Sequence, residues 1–163
     1  MPGHEDIFER LKQDHDRHRE LFGQLAGTEE AGDQRGRLLE RLTKELKAHA
    51  AAEEQALYST MMRKPETTDE TRHSVAEHKE VEDLLNDLAA TEMSSSEWGE
   101  KLGHLQHRYF HHIEEEEDEH FPDFARYLSE EDVRYMRAVF ERRKQAEEAE
   151  AEVTPEKLED AKE

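Results

Sequence analysis

This sequence predicts an all-α protein: an up-down-up-down four-helix bundle with an additional C-terminal helix and a charged tail. Three observations carry the expectation. Apolar residues recur at three- and four-residue steps over four stretches of about 20 residues each. Short polar links separate those stretches, and a histidine falls inside every apolar stripe, at His15, His49, His78 and His112. Amphipathic helices must bury their stripes against one another, and short links make consecutive helices antiparallel neighbours.

The first helix opens at Asp6, with Glu9 three residues on, and carries Phe8, Leu11, His15, His18, Phe22 and Leu25. Gly27 and the polar run to Gly32 end it, and Asp33 is placed to cap the second helix, whose stripe is Leu38/Leu39, Leu42, Leu46, His49, Glu53 and Leu57. Pro65 and the following threonines break the chain before a third stripe of Val75, His78, Val81, Leu85 and Leu88. Ser94 with Glu97 reads as the cap of the fourth helix, which bears Trp98, Leu102, Leu105, Tyr109, His112, Ile113 and Glu116. Gly99 and Gly103, four apart, are expected to allow a close helix contact, and Pro122 to kink or end the helix. Ser129 with Asp132 opens a fifth helix with Val133, Met136 and Phe140. From Arg142 onward the residues are mostly charged and read as exposed helix or disorder. The bundle is therefore assigned to residues 1–128 and the C-terminal helix and tail to 129–163.

Composition narrows the function. A chain of 163 residues suits one domain. Its 40% charged and 33% hydrophobic residues would suit a disordered chain, were the apolar positions not so periodic. A net charge of −20 repels nucleic acid and anionic membrane surfaces, which argues against both as partners. No apolar run suggests secretion or a membrane span, so a cytoplasmic protein is expected. With no cysteine, imidazole and carboxylate are the strong metal donors available.

Two segments read His-x-x-x-Glu: His49 with Glu53, and His112 with Glu116. Residues four apart on a helix share a face, so each pair can aim an imidazole and a carboxylate at one point. Buried without partners, these groups would destabilise a core, whereas a metal ion among them would satisfy them. His18 is open to three readings: a hydrogen-bonded core residue, an additional ligand or a proton shuttle. His73 lies off its stripe and reads as solvated. His104, His107, His111 and His120 fall on the flank of the fourth helix, and of Glu114 to Glu119 only Glu116 has the phase to face inward. Tyr58 and Tyr109 read as core aromatics able to hydrogen-bond to groups around the site. This donor set suits iron, manganese or zinc without choosing among them.

In order and spacing, Asp14-His15, His49 to Tyr58, Glu77-His78 and His112 to Pro122 resemble the hemerythrin-like (HHE cation-binding) family over roughly residues 6 to 128. The resemblance implies a non-haem centre of two iron ions, cycling between Fe2+ and Fe3+ and bridged by carboxylate and oxo or hydroxo groups. Its ligands would be His15, His49, Glu53, His78, His112 and Glu116. Hemerythrins that carry oxygen have a further histidine where this chain has Ser74, which implies a site open to reaction with hydrogen peroxide or dioxygen, as a di-iron catalase or related oxidoreductase. Reversible dioxygen storage and an iron- or oxygen-sensing regulatory module are the alternatives. The family's iron-cluster repair branch carries a cysteine-bearing extension, and no cysteine is present here.

Overall fold

The computed structural model describes residues 6–29 and 31–151, and every element among them is helical. Helix α1 (Ile7–Ala26) begins where the Asp6 carboxylate accepts from the Glu9 N–H. Helix α2 (Asp33–Glu53) passes into a π-helical turn (Glu54–Tyr58) and a short helix α3 (Ser59–Met61). Helix α4 (Thr68–Ala89) follows, then α5 (Ser96–Glu115), a second π turn (Glu116–His120), α6 (Phe121–Ala125) and α7 (Glu130–Ala151). The charged tail from residue 152 onward lies outside the described residues.

Helix α1 packs on α2 and α5, α4 packs on α5 and α2, and α7 lies along α2 and α1. The stripes make two apolar layers. One gathers Phe22, Leu25, Leu42, Leu46, Leu85, Leu88, Trp98, Leu102, Leu105 and Tyr109. The other gathers Ile7, Leu11, Leu57, Tyr58, Met61, Phe121, Phe124, Met136 and Phe140. The histidines of the four stripes lie between these layers, so the polar site is walled above and below by close-packed hydrocarbon.

Several local expectations are corrected. Asp33 is the first helical residue of α2 rather than its cap, and Gly32 and Ser95 precede α2 and α5 without any side-chain cap. Thr67 and Thr68 turn back to the carbonyls of Met61, Met62 and Lys64, closing the end of the preceding helix. A Cβ at Gly99 or Gly103 would touch nothing within 4 Å, so neither glycine mediates a close helix contact. Ser129 and Asp132 do form a reciprocal box, each side chain accepting from the other's N–H.

The first π turn follows directly on the His49–Glu53 segment, and the second begins at Glu116, the last residue of the His112–Glu116 segment. In each a widened bond spans five residues, from the Ser59 N–H to Glu54 O and from the Phe121 N–H to Glu116 O. Such turns insert an extra residue into a helix and rotate the residues downstream of it, and they concentrate at functional sites. The second one also accommodates Pro122, which stands at the start of α6 where the regular ladder is already interrupted.

Candidate metal centre

Seven side chains meet between the apolar layers: His15 and His18 from α1, His49 and Glu53 from α2, His78 from α4, His112 from α5, and Glu116 at the start of the second π turn. These are the six residues singled out as ligands together with His18, and all seven side chains are buried. The helix phase is as expected, because His112 is 1% exposed while the side chain of its neighbour His111 is 57% exposed.

The imidazoles form two groups. The rings of His15 and His18 lie 5.2 and 5.0 Å from that of His49, and those of His78 and His112 lie 5.0 Å apart. Each carboxylate reaches both groups. Glu53 Oε1 is 3.6 Å from His49 Nε2 and 3.1 Å from His78 Nε2. Glu116 Oε1 is 3.5 Å from His15 Nε2 and 3.2 Å from His112 Nε2.

Every ring is also fixed from behind through Nδ1. Asp14 Oδ2 holds His49 at 2.8 Å, Glu77 Oε1 holds His112 at 2.8 Å, Glu117 Oε2 holds His15 at 2.7 Å and Glu54 Oε1 lies 3.3 Å from His78. A carboxylate at Nδ1 selects the tautomer whose Nε2 lone pair faces the centre, the usual support of a metal-ligating histidine. His18 Nδ1 is 2.6 Å from the Tyr109 hydroxyl, which can donate or accept. The Tyr58 hydroxyl donates to Glu116 Oε2. Burial, with the charges of Glu116 and Glu53, raises both phenols well above their ordinary range, so they stay protonated donors.

These supporting carboxylates were not recognised as such in the sequence, although a signal exists. Asp14, His15, His49, Glu53 and Glu54 each have a counterpart 63 positions later: Glu77, His78, His112, Glu116 and Glu117. The support is reciprocal, since Glu54 of the first half holds His78 of the second and Glu117 of the second holds His15 of the first. Glu115 and Glu117, read as solvated, are therefore half-buried partners of histidines, and His120, read as a flank residue, is buried.

Lys144 revises the expected exposure of the last charged stretch. Its ammonium is buried and donates to both oxygens of Asp14 at 2.8 Å, with Glu45 Oε2 at 3.4 Å. Helix α7 thus reaches His49 through one carboxylate. Burial opposes ionisation of Asp14, yet the hydrogen bonds and charges of His49 and Lys144 hold it well below the usual carboxylate range.

The donor set fits a metal cation. Among the described residues, Nε2 of His15, His18, His49 and His112, both oxygens of Glu53 and Oε1 of Glu116 are buried with no hydrogen-bond partner. Orphaned polar atoms are costly in a protein interior, and a cluster of them aimed at one point is satisfied by a cation. Imidazole nitrogen with carboxylate oxygen suits a first-row transition metal.

Protonation takes the cation's place in the metal-free chain. Burial opposes charge on His49, but the hydrogen bond to Asp14 and the neighbouring Glu53 carboxylate raise it to about 9; His112, likewise opposed by burial, is raised to about 10 by the charge of the nearby Glu116 and by the hydrogen bond to Glu77. A folded-state pKa above the ordinary 6.5 contributes stability that is complete below pH 6.5 and is lost as pH rises through about 9 to 10. The metal-free chain is therefore expected to lose stability between neutral pH and pH 10, and the metal-loaded chain to lose much less. Thermal melts at both pH values, with and without chelator, check this; equal pH dependence of the two forms would contradict it.

Comparison with known proteins agrees with this geometry. A search of curated proteins finds no significant match. A hemerythrin HHE cation binding domain-containing protein from Mycobacterium kansasii, known from its crystal structure, has the same fold. The two superpose with a TM-score of 0.79 at 20% identity, over 89% of this chain and 88% of that one. The sequence model of the hemerythrin HHE cation binding domain matches residues 6–124, which contain all seven converging side chains, and the chain belongs to that family.

Proposed function

We propose that this chain holds two iron ions between its histidine groups and reacts there with hydrogen peroxide or dioxygen, with catalase-like disproportionation as the leading activity. The observation that carries the reading is the pair of carboxylates, Glu53 and Glu116, each within reach of one histidine from both groups. His15, His18 and His49 would serve one ion and His78 and His112 the other, in an up-down-up-down arrangement of α1, α2, α4 and α5. His18, with its ring buried 5.0 Å from that of His49 and its Nε2 3.6 Å from Glu45 Oε2, serves in this proposal as a fifth histidine ligand rather than a proton shuttle. When bound, the iron pair supplies two one-electron changes, which suits two-electron reduction or oxidation of peroxide.

The chain's own residues leave room for a small substrate. A cavity of about 390 Å³ between α2 and α4 is lined by Leu46, Ala50, Val75 and Leu85 together with the charged Lys47, Glu54, Lys79 and Glu82, and reaches His49 and His78. A space of this size admits dioxygen or peroxide. Ser74, at the position of the carrier proteins' further histidine, is buried with its hydroxyl 3.0 Å from His120 Nδ1. It offers only a hydroxyl to that side, and the end served by His78 and His112 has one imidazole fewer than the other. Tyr58, as a protonated donor to Glu116, orients that carboxylate and holds a proton one hydrogen bond from the centre.

Metal analysis of protein from iron-replete cells is expected to give about two iron ions per chain, and an oxygen electrode to register dioxygen on adding peroxide. A long-lived, reversible oxygenated spectrum without peroxide turnover would favour storage instead. Ala50→Phe, which fills the cavity, is expected to keep the iron and slow peroxide consumption about tenfold, or about 1.4 kcal/mol in barrier. An unchanged rate in a fully loaded variant would show that substrate enters elsewhere.

A further inference from the structure

We infer that a second, outer site for a single divalent transition-metal ion lies at the surface, formed by His73, Glu77, Glu115 and His120. His73 and Glu77 come from α4, Glu115 ends α5 and His120 ends the second π turn. Glu115 Oε1 is 2.8 Å from His73 Nε2 and 3.2 Å from His120 Nε2, and Glu77 Oε2 is 3.5 Å from His73 Nε2. His73, Glu77 and Glu115 each offer a ligand atom within 4.8 Å of the other two; a tetrahedral ion bonded at about 2.0–2.2 Å would hold its ligand atoms about 3.3–3.6 Å apart, so these three would take it with small shifts and His120 would complete it by moving inward from Glu115. Two neutral imidazoles with two carboxylates balance a divalent charge and favour zinc, cobalt or ferrous iron over calcium or magnesium.

His120 makes this more than a charged surface. It is 6% exposed, its Nδ1 is engaged by Ser74 Oγ at 3.0 Å, and Nε2 is thereby aimed at Glu115. A buried imidazole oriented by a hydroxyl on one nitrogen and presenting the other to a carboxylate has the form of a supported ligand. The neighbouring surface concentrates negative charge. Glu114, Glu115, Asp118 and Glu119 line one shallow depression with His111. Glu70, which is partly buried beside Asp123 and Glu119, has its carboxyl raised to about 7.

Glu77 belongs to both places, since Oε2 faces the outer cluster while Oε1 holds His112 at 2.8 Å. An ion outside would therefore sit one carboxylate from the inner centre and draw charge from His112's support, a consequence that rests on the inner reading. The site itself does not depend on it.

Titration of iron-loaded protein with Zn2+, followed by calorimetry and metal analysis, is expected to add one ion per chain. His73→Ala, at an exposed position, and Glu115→Gln should each weaken that ion by at least roughly 10- to 100-fold while leaving iron content unchanged. His107→Ala, on the exposed flank, should bind as the unaltered chain does. Absence of an added ion, or equal binding by His73→Ala, would overturn the proposal. A chain that retains no iron yet binds one Zn2+ in a His73-dependent manner would refute the inner reading and leave the outer site standing.

Discussion

Glu53→Ala is expected to empty the whole centre, not one half of it. Its two oxygens are buried and unpartnered, and one lies within reach of His49 on one side and His78 on the other. On the proposed reading its removal would take a ligand from both ions at once. It also leaves His49 and His78, whose pKa values are raised against burial partly by Glu53, as buried imidazoles without their carboxylate. Breaking a buried pair on one side only costs about 3–5 kcal/mol, so iron content should fall to near zero and the melting temperature with it. Glu117→Ala is the informative contrast. Glu117 holds His15 Nδ1 and bonds Arg19 at the edge of the site, so its loss should lower affinity by about 10- to 100-fold while loading at saturating iron persists. Iron analysis and thermal melts of both variants decide the matter. Full iron retention in Glu53→Ala would remove the shared-carboxylate assignment, and half retention would mean that it serves one ion only.

Lys144→Met is expected to be among the most damaging changes outside the centre. The ammonium neutralises Asp14 and approaches Glu45, both largely buried, and methionine keeps the apolar stem while deleting the charge. Arg10 still bonds Asp14, so part of the compensation survives, and the expected loss is about 2–4 kcal/mol. Because Asp14 fixes His49, metal affinity should fall as well, by roughly 10- to 100-fold. Denaturant unfolding of the metal-free protein and competition with a chromophoric chelator measure the two effects separately. A variant as stable and as tightly loaded as the unaltered chain would show that α7 is a mere appendage.

The inward phase of His15, His49, Glu53, His78, His112 and Glu116 was readable because helical spacing is local and the apolar neighbours on each stripe report it. The π turns were not, because an inserted residue is a backbone event. It re-aims the residues that follow, Tyr58 and His120 among them, toward partners on other helices, which no window of sequence contains. Pro122 hinted at the second break but not at its form. Asp14, Glu54, Glu77 and Glu117 escaped notice because in a chain of 43 acidic residues any single carboxylate looks solvated. Lys144 was hidden in the same way, since its burial depends on carboxylates from α1 and α2 more than 90 positions away. The asymmetric residues are the most informative. The counterpart of His18 is Val81, that of Tyr58 is Phe121 and that of Tyr109 is Leu46, so the groups that distinguish the two ends stand where the repeat fails.

The reciprocal holding of His78 by Glu54 and of His15 by Glu117 is the contact pattern of an isologous dimer, in which residue i of one partner meets residue j of the other and j meets i. Within one chain the two partners are the halves joined through the Lys64–Thr68 link. Each half brings a carboxylate for the other's histidine, so neither can assemble half a site by itself, and loading the centre is also the act that fastens the halves together. Fusion of such partners frees each from the obligation to be identical. One half can then accumulate a third imidazole or a phenol while the other keeps an open side, and the two ions of the proposed centre would become chemically distinct in a nearly symmetric frame.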